Sequence, residues 1–191
     1  MARYRGSRVK IIRRLGILPG FTKKSVNKKF GYNSKKLSQY GFHLQEKQKL
    51  RYNYGVTEHE LIKYVKKARK KSGNTGNVLL QFLEMRLDNI LYKTGLISTV
   101  SCARQLISHG HVYIDDKKIT VPGFSCNLFQ KITIKKPGLK VINKNSITNP
   151  SHLLIEENSN YITITVTNNP DIQVLDFSIN VLLVLEYYSG K

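Results

Sequence analysis

The sequence predicts an α+β fold, with helices gathered in its first half and strands in its second. Three observations point there. Apolar residues recur at helical spacing between about 43 and 108, in runs opened by capping residues and closed by glycines. From 111 onward the pattern changes to two-residue alternation, in HVYI, KITIK and YITITVT. Pro150 and Asn168-Asn169-Pro170 separate the later strands without breaking any of them.

Taken in order, residues 1–20 begin as an arginine-studded arm. Val9, Ile12 and Leu15 lie at helical spacing, with Arg8, Arg13 and Arg14 around them, and Gly16 and Pro19-Gly20 end this short helix. Residues 21–41 hold few apolar anchors and are expected to be a loop that orders only against a partner. A short helix follows over 43–54. Thr57 to Glu60 (TEHE) spells a capping box that opens a helix to about Lys71, with Leu61, Tyr64, Val65 and Ala68 as its buried stripe. Lys63, Lys66, Lys67, Arg69, Lys70 and Lys71 cover its other side. After the break SGNTGN, Thr75 is the expected cap of a helix over 76–93, with Leu79, Leu83, Leu87, Ile90 and Leu91 inward and Gly95 closing it. Ser98 or Thr99 caps the next helix, which turns Val100, Ala103, Leu106 and Ile107 inward and ends at Gly110. His111–Ile114 is a strand, Asp115-Asp116 a turn, Lys117–Val121 the return strand and Lys131–Lys135 a third. Strands are also expected at 153–155, 161–167 and 179–188, the last with a helical first turn as its alternative.

Composition bounds the function. The 191 residues carry a formal net charge of +20, which implies attraction to nucleic acid or an anionic membrane. The charge is graded. Residues 1–71 hold 21 Lys and Arg against Glu46, Glu58 and Glu60, a net of +18. Residues 72–144 hold ten against four, a net of +6, and residues 145–191 one against five, a net of −4. A stretch as basic as the first would repel itself without a polyanion. The longest apolar run near the C-terminus, Val181 to Leu185, is far too short to span a bilayer, so no membrane partner is expected. Met1 is followed at once by charge, with no signal-peptide pattern, which favours synthesis in the compartment where the protein works. Cys102 and Cys126 form no CxxC pair; both are expected as reduced thiols, Cys102 buried on a helix, with no structural zinc and no cofactor. No phosphate loop, HExxH, GxSxG or other acid–base constellation is present, so an enzyme acting on a small-molecule substrate is not expected. The 23 lysines, 18 isoleucines and 15 asparagines favour A/T-rich codons, as in an organelle genome.

One stretch organises the rest: Arg86 to Lys118, RLDNILYKTGLISTVSCARQLISHGHVYIDDKK. It reads as helix, turn, helix and strand, with one apolar side and one side carrying Arg86, Arg104, Gln105, Ser108, His109 and His111. That second side is read as an RNA-docking surface. Asp88 is expected to be structural, orienting Arg86. The arm and the preceding helices add cations with an interleaved tyrosine: Arg3, Tyr4, Arg5, Arg8, Lys10, Arg13, Arg14, Lys23, Lys24, Lys47, Arg51, Lys66, Arg69 and Lys70. Guanidinium forks bind phosphates and stack on bases.

These residues carry a family resemblance. RLDNIL with STVSCARQLISHGHVYIDDKKI resembles the RNA-binding module named after small-subunit ribosomal protein four. MARYRGSRVKIIRRLGILPGFT, EKQKLRYNYGVTE, GNTGNVLLQFLEMRLDNIL and INVLLVLEYYSGK resemble ribosomal protein four itself, in its plastid and then its bacterial forms. The likeness covers most of the chain except about 25–41 and 136–160. It implies a basic arm (1–42), a mainly helical domain (43–85 with 146–191) and an inserted α/β RNA-binding module (86–145), a helix-turn-helix followed by a short antiparallel sheet. It also implies a primary rRNA-binding constituent of the small ribosomal subunit that binds the 5′ domain of small-subunit rRNA, nucleates assembly and contributes to translational accuracy. Implied partners are neighbouring small-subunit proteins, especially number five. The implied location is the plastid stroma, with the mitochondrion or bacterial cytoplasm as alternatives. Within the module it adds Thr99, Lys117 and Lys118 to the expected RNA contacts. The usual Asn-Gly turn is Asp115-Asp116 here, so a longer or strained turn is expected. Asn127–Gln130 replaces the usual stretch before the third strand, and the four-cysteine zinc site of some relatives is absent. The rival readings are an RNA-modifying enzyme or a non-ribosomal RNA-binding regulator using the same module.

Overall fold

A computed structural model describes residues 4, 6–24, 37–135, 150–158, 160–171 and 175–189. The elements are α1 (Arg8–Leu15), α2 (Gln39–Asn53), α3 (Glu58–Lys70), α4 (Thr75–Glu84), α5 (Leu87–Lys93), α6 (Val100–Ser108), β1 (Val112–Ile114), β2 (Lys117–Lys118), β3 (Lys131–Lys135), β4 (Leu153–Glu157), β5 (Tyr161–Val166) and α7 (Val181–Tyr187). They form two compact units, one of residues 1–79 with 175–191, the other of 80–174.

The first unit is helical. Ile12 and Leu15 of α1 and Leu50 of α2 are buried, as are Leu61, Val65 and Ala68 of α3. The Thr57–Glu60 capping box forms with both of its reciprocal bonds. Helix α2 starts at Gln39, earlier than expected, because the Ser38 side chain accepts the Gly41 N–H. The expected loop at 21–41 therefore ends by 38, and its centre, 25–36, lies outside the described residues. Asn74, not Thr75, closes the first turn of α4, accepting from the N–H groups of Gly76 and Asn77.

Residues 181–187 form α7, not the expected strand. Asn180 caps it through the Leu182 N–H, and its own N–H donates to Glu46 Oε2 on α2 at 2.9 Å. Val184 and Tyr188, one helical turn apart, are the buried positions. Tyr188 donates to Glu58 Oε1 at 2.7 Å, and Lys47 Nζ reaches Glu58 Oε2 at 3.0 Å while lying 4.5 Å from the Tyr187 ring centroid. A continuous apolar run is ambiguous between strand and buried helix. Here tertiary packing on α2 decides.

The second unit packs α5 and α6 against one face of an antiparallel sheet in the order β2-β1-β3-β5-β4. The register aligns Ile114, Ile132 and Ile164 across three strands, and Val112, Ile134 and Ile162 beside them. With Val166 these seven side chains are buried. Each contributes about 1.5–3 kcal/mol when fully removed from water. Because β5 pairs along its length with β3, and β4 with β5, residues 153–166 belong to this unit and not to the helical one. The expected return strand Lys117–Val121 is only Lys117–Lys118.

The expected single helix 76–93 is two helices. Arg86 is extended (φ −73°, ψ 140°) and bridges Ser125, while the Met85 carbonyl accepts the Cys126 N–H and the Leu87 N–H donates to Phe124. The apolar period runs through the break because both pieces bury leucines. The Asp115-Asp116 turn keeps two residues, with φ of +46° and +64°, the left-handed geometry a tight hairpin needs. Asp115 Oδ1 accepts the Lys131 N–H at 3.2 Å, so no lengthening is required.

Cys102 is half-buried rather than buried, and Cys126 is in the core. Burial pushes the Cys126 thiol up to about 12, with the Asp88 and Asp115 carboxylates adding to it. Alkylation of the native protein at pH 8, read by mass spectrometry, is expected to label Cys102 and spare Cys126 until denaturant is added. Equal labelling of both would contradict this core.

Candidate RNA-contact surfaces

The second unit's surface is built on a buried carboxylate. Asp88, 0 % exposed, accepts from Arg86 Nε at 3.0 Å and Nη2 at 2.8 Å, and from Arg104 Nε at 2.8 Å. A bidentate fork supplies the geometry that offsets the cost of removing a charged pair from water. The Arg86 guanidinium lies against Gly123, where an added Cβ would sit 3.3 Å from Nη1. Arg86 is 1 % exposed, so it is a structural cation and not a surface contact. This corrects its expected role and agrees with the structural one expected for Asp88. Arg104, tied to the same carboxylate, reaches the exposed side of α6 and remains partly exposed.

Around Arg104, Gln105, Ser108 and His109 are exposed, and His111 is half-buried with its ring 6.3 Å from that of His109. The Ser108 hydroxyl donates to the Arg104 carbonyl at 2.8 Å, and Thr99 Oγ1 accepts the Cys102 N–H, so both hydroxyls serve the helix. Lys117 and Lys118 are exposed on the hairpin. Gly110, at φ +76°, closes α6 in a conformation that strains any residue with a Cβ, and the far end of the Lys118 side chain lies over it. Among the described residues, no group of three or more His, Cys, Asp or Glu could hold a metal ion.

In the first unit Lys10, Arg13, Arg14, Lys23, Lys24, Lys66, Arg69 and Lys70 are exposed, as are Lys63, Lys67 and Lys71. Other expected contacts are used internally. Arg8 Nη1 donates to the Phe21 carbonyl at 3.2 Å and its guanidinium lies 5.5 Å from the Phe21 ring centroid. Arg51 lies 4.8 Å from the Tyr52 ring centroid. Tyr4 packs on Phe21 and Tyr52 at centroid distances of 6.0 and 5.4 Å, so the arm is anchored from this point. Lys47 is 4 % exposed and serves Glu58 and Tyr187, which corrects its expected surface role. Burial would raise the Glu58 carboxyl, but the Tyr188 hydroxyl and the Lys47 ammonium outweigh it and hold the group below the usual carboxylate range. Arg3 and Arg5 lie outside the described residues. Lys131 and Lys135, exposed on β3, were missed; the alternation KITIK already places both on the side opposite the core isoleucines.

Comparison with known proteins adds identity to this geometry. The family described as "Ribosomal protein S4/S9 N-terminal domain" matches residues 3–84, and the "S4 domain" matches residues 85–129. The small ribosomal subunit protein uS4c of Bigelowiella natans is 67 % identical over 195 residues, covering all of both chains. That of Oltmannsiellopsis viridis is 47 % identical, covering 99 % of this chain and 100 % of its own. That of Marchantia polymorpha is 46 % identical over the whole of both.

Removing the carboxylate tests the buried cluster. Asp88→Asn leaves Arg86 buried without its counter-charge and is expected to cost about 3–5 kcal/mol in urea unfolding. A loss under about 1 kcal/mol would show that the cluster does not hold the module.

Proposed function

The chain belongs to the ribosomal protein S4 family, and on that premise we propose that it is a structural, rRNA-binding constituent of the small subunit of a plastid ribosome. The observation that carries this is the 67 % identity, end to end, with a relative named as a small ribosomal subunit protein. The charge distribution agrees: Lys10, Arg13 and Arg14 of α1 and the cations of α3 are exposed, while the buried carboxylates Asp88 and Glu84 already have partners inside the fold. The work is binding, and no step asks the chain to make or break a bond.

More finely, we propose early binding at a junction in the 5′ domain of the rRNA, with ribosomal protein five among the neighbours, a contribution to translational accuracy and a place in the plastid stroma. Phosphate neutralisation by the first unit supplies most of the affinity. The α6 surface supplies shape recognition, because A-form grooves hide base edges and leave phosphate geometry, 2′-hydroxyls and unpaired bases to be read.

Three outcomes are expected. Arg104→Ala weakens binding to small-subunit rRNA by about 1–3 kcal/mol at physiological salt, measured by filter binding; unchanged affinity would remove Arg104 from the surface. Arg13→Gln with Arg14→Gln reduces the magnitude of the log–log salt slope by about 1.4–1.8, or 0.7–0.9 for each contact. An unaltered slope would show that α1 does not touch phosphate. The chain is also expected to stay with small subunits in high-salt sucrose gradients; its release into the top fractions would favour a regulator outside the ribosome.

A further inference from the structure

We propose that the outer face of the β1-β3-β5 sheet is a second RNA-contact surface that takes a single-stranded segment continuing from α6. This rests on the reading that the partner is rRNA. The register fixes which side chains share that face. Tyr113 pairs with Thr133, which pairs with Thr163; Lys131 is opposite Thr165, and Lys135 is opposite Tyr161. All have the parity opposite to the core isoleucines. The Lys135 N–H donates to the His111 carbonyl at 3.3 Å, which brings His111 beside Lys135 at the start of the face.

On β1, β3 and β5 this side carries no acid; Asp115, in the turn after β1, accepts the Lys131 N–H at one edge, and Glu156 of β4 is opposite Thr163 at the other. Its cations and rings are adjacent. Lys135 Nζ lies 4.5 Å from the Tyr113 ring centroid, and the Tyr113 hydroxyl holds that ammonium above its ordinary range, so it is charged at neutral pH. Tyr161, across from Lys135, is 43 % exposed. A cation fixed beside an aromatic ring suits a nucleotide, whose base stacks while its phosphate is neutralised. Only unpaired bases offer their faces this way, which selects single-stranded RNA over a helix. A protein partner is disfavoured, because lysines are depleted from the centre of protein interfaces. The face is also continuous with the α6 surface: His111 lies between His109, 6.3 Å away ring to ring, and Lys135. A strand held by Arg104 and His109 can therefore pass His111 onto the sheet.

The test uses the full chain with a small-subunit rRNA transcript, by filter binding and hydroxyl-radical footprinting. Tyr161→Ala is expected to weaken binding about fivefold or more, the lower end of a single base stack. Tyr161→Phe, which keeps the ring, stays within about twofold. Lys131→Gln with Lys135→Gln reduces the salt slope by about 1.4–1.8 and exposes nucleotides other than those exposed by Arg104→Ala. Circular dichroism checks folding, and the lysine variant carries the test if Tyr161→Ala does not fold. Wild-type affinity and footprint in the sheet variants, with Arg104→Ala weakened, would overturn this surface alone. No change in any variant would overturn the RNA reading of the whole unit. Wild-type RNA binding with failure to enter assembled subunits would assign the face to a protein neighbour and overturn it as well.

Discussion

A carboxylate with no access to water organises the second unit. Asp88 must have cations around it, and the chain supplies Arg86 from the residue that separates α4 from α5 and Arg104 from α6. One of these ends as an interior cation and the other at the edge of the exposed surface. The same residue that breaks the helical run, Arg86, bridges Ser125 and lies against Gly123, so the helical hairpin, the loop before β3 and the surface arginine share one anchor. Breaking one partner of such a cluster costs more than the cluster contributes as a whole, because a buried charge is left behind.

The two units divide the chemistry. The first exposes most of its cations on α1, α3 and the turn after α1, and uses aromatic rings to hold Tyr4 and a Glu58–Lys47–Tyr188 cluster to hold α7. The second carries fewer charges and sets some of them on partners: Arg104 on a carboxylate, Lys135 against Tyr113. Diffuse charge attracts any polyanion, whereas fixed charge discriminates among shapes.

Much of the fold was legible because local rules and tertiary packing agreed. TEHE gave a capping box, KITIK and YITITVT gave strands, and Gly95 and Gly110 closed helices at positive φ. The misreadings lie where a distant partner overrides the local pattern. INVLLVLEYY is a nearly continuous apolar run, and its packing on α2, with the Asn180 cap, makes it helical. The leucine period across 79–91 hides a break, because the bonds that make it come from 122–126. Among site residues, Lys47 looked like a surface cation because folding brings its partner Glu58 to it, whereas the Arg86–Asp88 pairing was legible two residues apart and only the burial of both was not. Lys131 and Lys135 were within reach of the alternation alone, had each strand been read for both of its faces.

The central claim is that the exposed side of α6 lies on RNA. Its most direct test is tethered cleavage: an iron chelate on Gln105→Cys, in a Cys102→Ala background, releases hydroxyl radicals with the full chain bound to small-subunit rRNA. The expected result is cleavage confined to one region of the RNA around a helical junction, and none from the same chelate on Leu182→Cys of α7. Cleavage no stronger from position 105 than from position 182 would contradict the placement of the RNA on this surface.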